Sequence, residues 1–326
     1  MTDYRSVKYK VPTLNLDGTT EASPVEGEMW YDSGKFYLGT SQSFAGVWSS
    51  GGNLGTARRY LAGCGTQSAG LCMGGYAAAV SNVTEEYNGT AWSSGGNLGT
   101  ARSGLTGAGT QSAGLCMGGW ITPNQQNVTE EYNGTSWSSG GNLATARTSP
   151  AGCGTQSAGL CMGGNTGSNS NVTEEYDGTS WAAGGNLGTA RTQMAAAGTQ
   201  SAGLCMGGND GSDSNATEEY NGTSWSGGGN LATAREAPAG AGTQSAGLCA
   251  GGDDNSGMLN VTEEYDGSAW SAGGNLATAR KGVAGCGTQS AGLCMGGEAA
   301  ANTNVTEEYD AGPGSYDELF SPSQGL

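Results

Sequence analysis

The chain has 326 residues, 63 of them glycine, and only 35% are hydrophobic, which taken alone is the composition of low-complexity sequence. Lysine and arginine number 12 against 29 aspartates and glutamates, a net charge of -17 that repels phosphate and argues against nucleic acid or an anionic membrane as partner. Histidine is absent, which removes the commonest general base and the commonest metal ligand, and no run of about 18 apolar residues is present to span a membrane.

Residues 1–40 stand apart from the rest of the chain. MTDYRSVKYK carries Arg5, Lys8 and Lys10 against Asp3, a small basic arm without the apolar core of a signal peptide, so synthesis and folding in a cytoplasm are expected. VPTLNLDGTTEASP reads as an extended linker. PVEGEMWYDSGKFYLGT then alternates like two short strands around the turn Asp32–Ser33–Gly34. We take residues 1–40 as an N-terminal arm and hairpin, 41–310 as a repeat domain and 311–326 as a C-terminal tail.

From about Phe44 the chain repeats itself. GTQSAGLCMGG, then VTEEY, then an Asn-Gly or Asp-Gly turn and a tryptophan, then GGNL and an arginine, recur in that order. Trp48, Trp92, Trp137, Trp181, Trp225 and Trp270 are spaced by 44, 45, 44, 44 and 45 residues, a period that means stacked structural units. The unit beginning at Arg102 contains a strand of small residues, a tight turn, the strand Leu115–Cys116–Met117, a polar loop, the strand VTEEY and a strand opened by Trp137. Asn133–Gly134 between the last two is a strong hairpin signal. Four antiparallel strands in about 44 residues make one propeller blade. Six such hairpins are followed by six EEY strands, but the sixth EEY strand has no tryptophan strand behind it, and the first tryptophan strand, at Trp48, has no hairpin before it. The fold class expected is therefore all-β: a six-bladed propeller whose N-terminal strand completes the last blade.

Double glycine, tyrosine, tryptophan and an arginine opening the next unit, in that order, resemble the kelch repeat over residues 44–310, with Tyr87, Tyr132, Tyr176, Tyr220, Tyr265 and Tyr309 in the tyrosine place. Only four residues separate Tyr132 from Trp137, fewer than is usual in that repeat. The turn YDGTSW at 176–181 is similar to the Asp-box of sialidase-like propellers. That resemblance implies a glycan-processing enzyme as an alternative, but such enzymes need an axial arginine cluster and a tyrosine nucleophile. Every propeller arginine here except Arg59 sits at one repeated position, and the copper-binding histidines of galactose oxidase are missing.

The repeated positions have structural readings. Adjacent glutamates in a strand point to opposite faces, so Glu130 and Glu131 and their equivalents are not catalytic dyads. Arg102, Arg147 and the four like them are the expected partners of one glutamate of each pair; a carboxylate ring holding Ca²⁺ is the alternative reading. The tryptophans and the Leu–Cys–Met strands are expected to form the core between blades. The repeated cysteines read as buried thiols, although Cys64 and Cys72 could face each other across a hairpin. No cofactor and no catalytic residue is expected.

Where the repeats differ from one another is more informative. Variation is confined to the loop after the double glycine (76–82, 120–127, 165–171, 209–215, 253–260 and 298–304) and to the residues after the arginine, which read RYL, SGL, TSP, TQM, EAP and KGV. In an up-down-up-down blade both lie on one face, while the constant turns lie on the other, the pattern of a binding platform. Tyr60, Tyr76, Trp120, Ile121 and Met258 are the apolar groups this face offers. The glycine-rich repeats, together with the element GEMWY near the start, also resemble virion proteins of marine and cyanobacterial bacteriophages. That resemblance implies a structural protein in the virion, present in many copies, with residues 1–40 docked on other virion proteins and a face for a glycan or protein of the host surface. Its alternative is a decoration or tail-wall subunit that touches virion proteins only.

Overall fold

The computed structural model describes residues 46–311 continuously, together with the strands Leu14–Asn15, Met29–Asp32, Lys35–Gly39 and Tyr316–Phe320. They fall into two units, Gly46–Asp310 and the two terminal segments Met1–Ala45 and Ala311–Leu326.

In the larger unit each repeat folds into a four-stranded antiparallel sheet. The first blade comprises Ala62–Thr66, Ala69–Met73, Thr84–Tyr87 and Trp92–Ser94. Blades two to five open at Thr106, Ala151, Ala195 and Ala239. The sixth takes Ala284–Gly287, Ala291–Met295 and Thr306–Asp310 from the C-terminal end, and its outermost strand, Val47–Ser50, from the beginning of the unit. There Trp48 lies opposite Tyr309 as Trp92 lies opposite Tyr87. The protein is a six-bladed all-β propeller closed by its N-terminal strand, and no helix occurs among the described residues.

Small residues make the innermost strands because adjacent backbones crowd at the axis. A Cβ on Gly240 would lie 2.7 Å from the Ala196 carbonyl oxygen, and one on Gly285 2.7 Å from that of Gly240. Leu71, Cys72 and Met73 and their equivalents in the second strands are wholly buried, with each face against a different neighbouring blade. That division also separates the cysteines. Cys64 is opposite Leu71 while Cys72 is opposite Gly63, so the two thiols face opposite sides of the blade; all nine cysteines are free and buried. The tryptophans are half-buried and pack on the rims of the clusters, because they lie on the outermost strand of each blade; the fully buried rings are Tyr87, Tyr132, Tyr176, Tyr220, Tyr265 and Tyr309.

Every interface between blades carries the same polar fasteners. The Tyr132 hydroxyl donates to Glu86 of the preceding blade at 2.5 Å, the Trp137 indole N–H donates to Thr84 at 2.9 Å, and the Gln111 amide donates to the carbonyls of Gly70 and Tyr87. The closing interface has the full set: Tyr87 donates to Glu308, Trp92 to Thr306, and Gln67 to Gly292 and Tyr309.

In the terminal unit Met29–Asp32 and Lys35–Gly39 pair as the hairpin expected from the sequence, with Asp32 opposite Lys35. Leu14–Asn15 runs parallel to the first of them, and Tyr316–Phe320, from the segment read as a tail, runs antiparallel to the second. Turn residues 33–34 and the basic arm of residues 1–10 lie outside the described residues.

Candidate binding face

The diversified face is built outward from the six arginines. Arg102 has no exposed surface: one guanidinium nitrogen donates to the carbonyls of Gly118 (2.9 Å) and Val128 (2.6 Å), the other to Glu130 at 2.9 Å. Arg147 repeats this with Gly163, Val172 and Glu174. Each pair joins the approach to a blade's first strand with that blade's third strand. Glu131, the other member of its pair, accepts from Tyr176 of the next blade at 2.6 Å. The two glutamates thus divide between holding a blade together and holding two blades to each other.

The residue after each arginine pairs with the residue after each double glycine: Arg59 with Tyr76, Ser103 with Trp120, Thr148 with Asn165, Thr192 with Asn209, Glu236 with Asp253 and Lys281 with Glu298. The double glycine makes this turn. Gly118 and Gly119 have φ of 66° and 114°, and a Cβ on Gly118 would sit 2.9 Å from the Arg147 carbonyl of the next blade. The two variable segments of each repeat are therefore hydrogen-bonded to each other on one face.

One residue further along, the six blades meet in a closed ring. Tyr60, Gly104, Ser149, Gln193, Ala237 and Gly282 are all left-handed, with φ between 50° and 59°. Each N–H donates to the carbonyl of the preceding member, from Gly104 to Tyr60 at 2.9 Å round to Tyr60 to Gly282 at 2.8 Å. Below the ring lie Leu61, Leu105, Pro150, Met194, Pro238 and Val283, then Thr106 with the Ala and Gly of the first strands, around a cavity of ≈ 110 Å³. Nothing ionisable lines that cavity.

The face has two halves. On blades five, six and one it is charged, and its two cations are paired: Arg59 with Glu298 at 2.5 Å and Lys281 with Asp253 at 3.2 Å. Burial lowers the Lys281 pKa, but Asp253 outweighs it and holds the amine above its ordinary range. Asp213 is raised, first by burial and then by Glu236, Asp253 and Asp254. On blades two to four the residues after the arginines, Ser103, Thr148 and Thr192, and their partners Trp120, Asn165 and Asn209 are uncharged, and Asp213, bridged to Asn209, belongs to the loop of blade four. An open cleft of ≈ 460 Å³ lies there, between Tyr60, Trp120, Gln125, Thr148, Ser149 and Gln193.

Of the five apolar groups expected on this face, the cleft brings together Tyr60 and Trp120. Tyr76 is the exposed one, 36% accessible, and shares the Arg59 guanidinium with Tyr60 at 5.5 and 5.6 Å to the ring centres. Ile121 is half-buried beside Trp120 in a short ribbon, and Met258 is half-buried in the corresponding ribbon of blade five. Gln193, Ser149 and Thr148 were within the variable triplets, but nothing in a triplet signals that they converge from different blades. On the opposite face the constant turns satisfy themselves: Asn133 accepts from the N–H groups of Thr135 and Ser136, and Asp177 does the same for Thr179 and Ser180, which lowers its pKa. Among the described residues no three side chains of His, Cys, Asp or Glu are placed to hold a metal ion.

Among solved structures, that of YjhT superposes with a TM-score of 0.67 over 80% of this chain and 96% of its own, at 14% identity. The likeness is one of fold. No family model and no curated protein sequence matches the chain.

Proposed function

We propose that this chain is a non-enzymatic virion protein of a bacteriophage, held to other virion proteins by residues 1–40, whose propeller attaches the particle to a host surface through its diversified face. The observation that carries the reading is the sorting of variation in space: every segment that differs between repeats is bridged to another such segment on one face, while the other face repeats the same self-satisfied turns. A structural scaffold alone has no need of that asymmetry, whereas a recognition surface does. A non-catalytic role is supported by the axis, where an enzyme of this architecture would place its charged groups. Here the six repeated arginines are buried against glutamates and nothing ionisable lines the axial cavity. Attachment would draw on weak contacts multiplied over many copies.

Replacing Trp120 and Tyr76 together by alanine tests this on assembled particles. Adsorption to host cells falls while particle yield is unchanged. Unchanged adsorption, or a particle map with the diversified face packed against capsid or tail protein, assigns the chain to decoration or the tail wall instead.

A further inference from the structure

Ring geometry and cleft chemistry coincide on blades one to four. Left-handed backbone is ordinary for Gly104 and Gly282 but strained for the four other ring members, at about 1 kcal/mol or more each. Three of those four, Tyr60, Ser149 and Gln193, line the cleft beside Gly104. The closed ring of N–H to carbonyl bonds holds them there, so the cleft floor is fixed before any ligand arrives.

The lining consists of an indole, a phenol, hydroxyls and carboxamides, with no carboxylate, amine or guanidinium. The Gln193 side-chain oxygen is buried without a hydrogen-bond partner, while its amide makes only a 3.4 Å contact to Glu236. A buried acceptor left so costs about 1–3 kcal/mol unless a donor reaches it. Thr148 and Ser149 bring their hydroxyls to within 2.6 and 3.1 Å of where a side chain on Gly104 would begin, so the missing side chain leaves both uncovered at the floor. An aromatic wall for an apolar C–H face and a rim of neutral donors and acceptors for hydroxyl groups are the two halves of sugar recognition.

Charge decides which sugars. Both cations of the face are spent on Glu298 and Asp253, leaving Glu236, 3.4 Å from the Gln193 amide, to repel an acid. On the premise that this face is the attachment surface, we propose that the cleft between Trp120 and Gln193 is a subsite for one neutral pyranose unit of a surface glycan, and that it rejects sialylated and uronic sugars.

Titration of the full chain with a panel of neutral di- and trisaccharides of glucose, galactose, mannose and N-acetylhexosamines, and with 3′-sialyllactose and a galacturonate trimer, tests it by saturation-transfer NMR. A neutral member binds; Trp120→Ala weakens it about tenfold or more, equivalent to about 1.4 kcal/mol, and Gln193→Ala weakens it too. The acidic sugars stay unbound. Should Trp120→Ala lower the melting temperature, Gln193→Ala carries the comparison alone. Binding of the acidic sugars as tight as the neutral ones, neutral binding indifferent to both substitutions, or no binding across the panel overturns the proposal. In that last case adsorption that still depends on Trp120 leaves the attachment reading standing with a protein receptor. Sugar binding lost in Trp120→Ala with adsorption unchanged removes the attachment reading and keeps the subsite.

Discussion

Arg147 lies without solvent exposure between two strands of its own blade, donating to Glu174 and to the carbonyls of Gly163, Val172 and, at 3.4 Å, Thr145. Removing it leaves a buried carboxylate without its cation and the Gly163 carbonyl without its donor, while the Val172 carbonyl keeps the Gly163 N–H at 3.0 Å. Arg147→Ala is expected to cost about 3–5 kcal/mol in urea unfolding. Adding Glu174→Met to an Arg147→Met chain recovers only part of the loss, because the Gly163 carbonyl still lacks a donor. A cost under about 1 kcal/mol, the range of an exposed pair, would mean that water enters the pocket and replaces the guanidinium. The variable residues obey another logic. Thr148 and Ser149 follow Arg147 directly, yet one is bridged to Asn165 and the other belongs to the axial ring, so two neighbours in sequence serve two layers of the face.

At the scale of the element, the strand Val47–Ser50 differs from the other five outermost strands in where it comes from and in being one residue longer, with Val47 opposite Asp310. It makes the same pairing with its neighbour, Tyr309 against Trp48, and the same indole bond across the interface, from Trp48 to Thr262 at 2.9 Å. Deleting residues 41–50 exposes the edge of Thr306–Asp310, and an unpaired edge templates association with other chains. The expected outcome is aggregation, with a lowered melting temperature, on light scattering and calorimetry. A monomeric deletion variant of unchanged melting temperature would mean that the strand does not close the ring. The tryptophans fasten rims rather than fill cores, since the outermost strand has only one neighbour to cover it, and the tyrosine ring beneath each, 4.9 Å away in blade two, takes the buried place.

For the molecule as a whole, the sixfold design repeats one pH liability. Cys72, Cys116 and Cys205 are pushed up from 9.0 to about 11 and Cys161 and Cys249 to about 12, chiefly by burial. Tyr176 and Tyr265 rise from 10.0 to about 12, through burial and then through hydrogen bonds to the neighbouring blade's glutamates. A pKa raised by folding stabilises the neutral form, so its contribution is complete below the unfolded value and disappears as pH climbs through the folded one. These groups should therefore leave stability flat from neutral pH up to 9.0 and make it collapse cooperatively between there and about 12, followed by tyrosinate absorbance and tryptophan fluorescence. Tyrosines that titrate near 10.0 with fluorescence unchanged would show that the interfaces admit hydroxide without opening.

The blade count, the strand order within each blade and the closure by the first tryptophan strand were legible in the sequence. They depend on local signals, such as the Asn133–Gly134 turn and the glycine pair at 118–119, and six copies of each signal leave little ambiguity in phase. That each arginine pairs with one glutamate of a neighbouring pair was legible for the same reason, but that Arg102 takes Glu130 while Glu131 goes to Tyr176 was decided by the fold. The tertiary structure alone decided which cysteine faces which interface, that tyrosine rather than tryptophan is buried, and that the segment 316–320 joins the N-terminal hairpin. It alone also made the cleft, because Tyr60, Trp120, Thr148 and Gln193 come from four blades and meet only when the ring closes. Left-handed backbone at Tyr60, Ser149 and Gln193 has no local cause that a sequence could display: it is imposed by the hydrogen bonds that the six blades exchange around the axis.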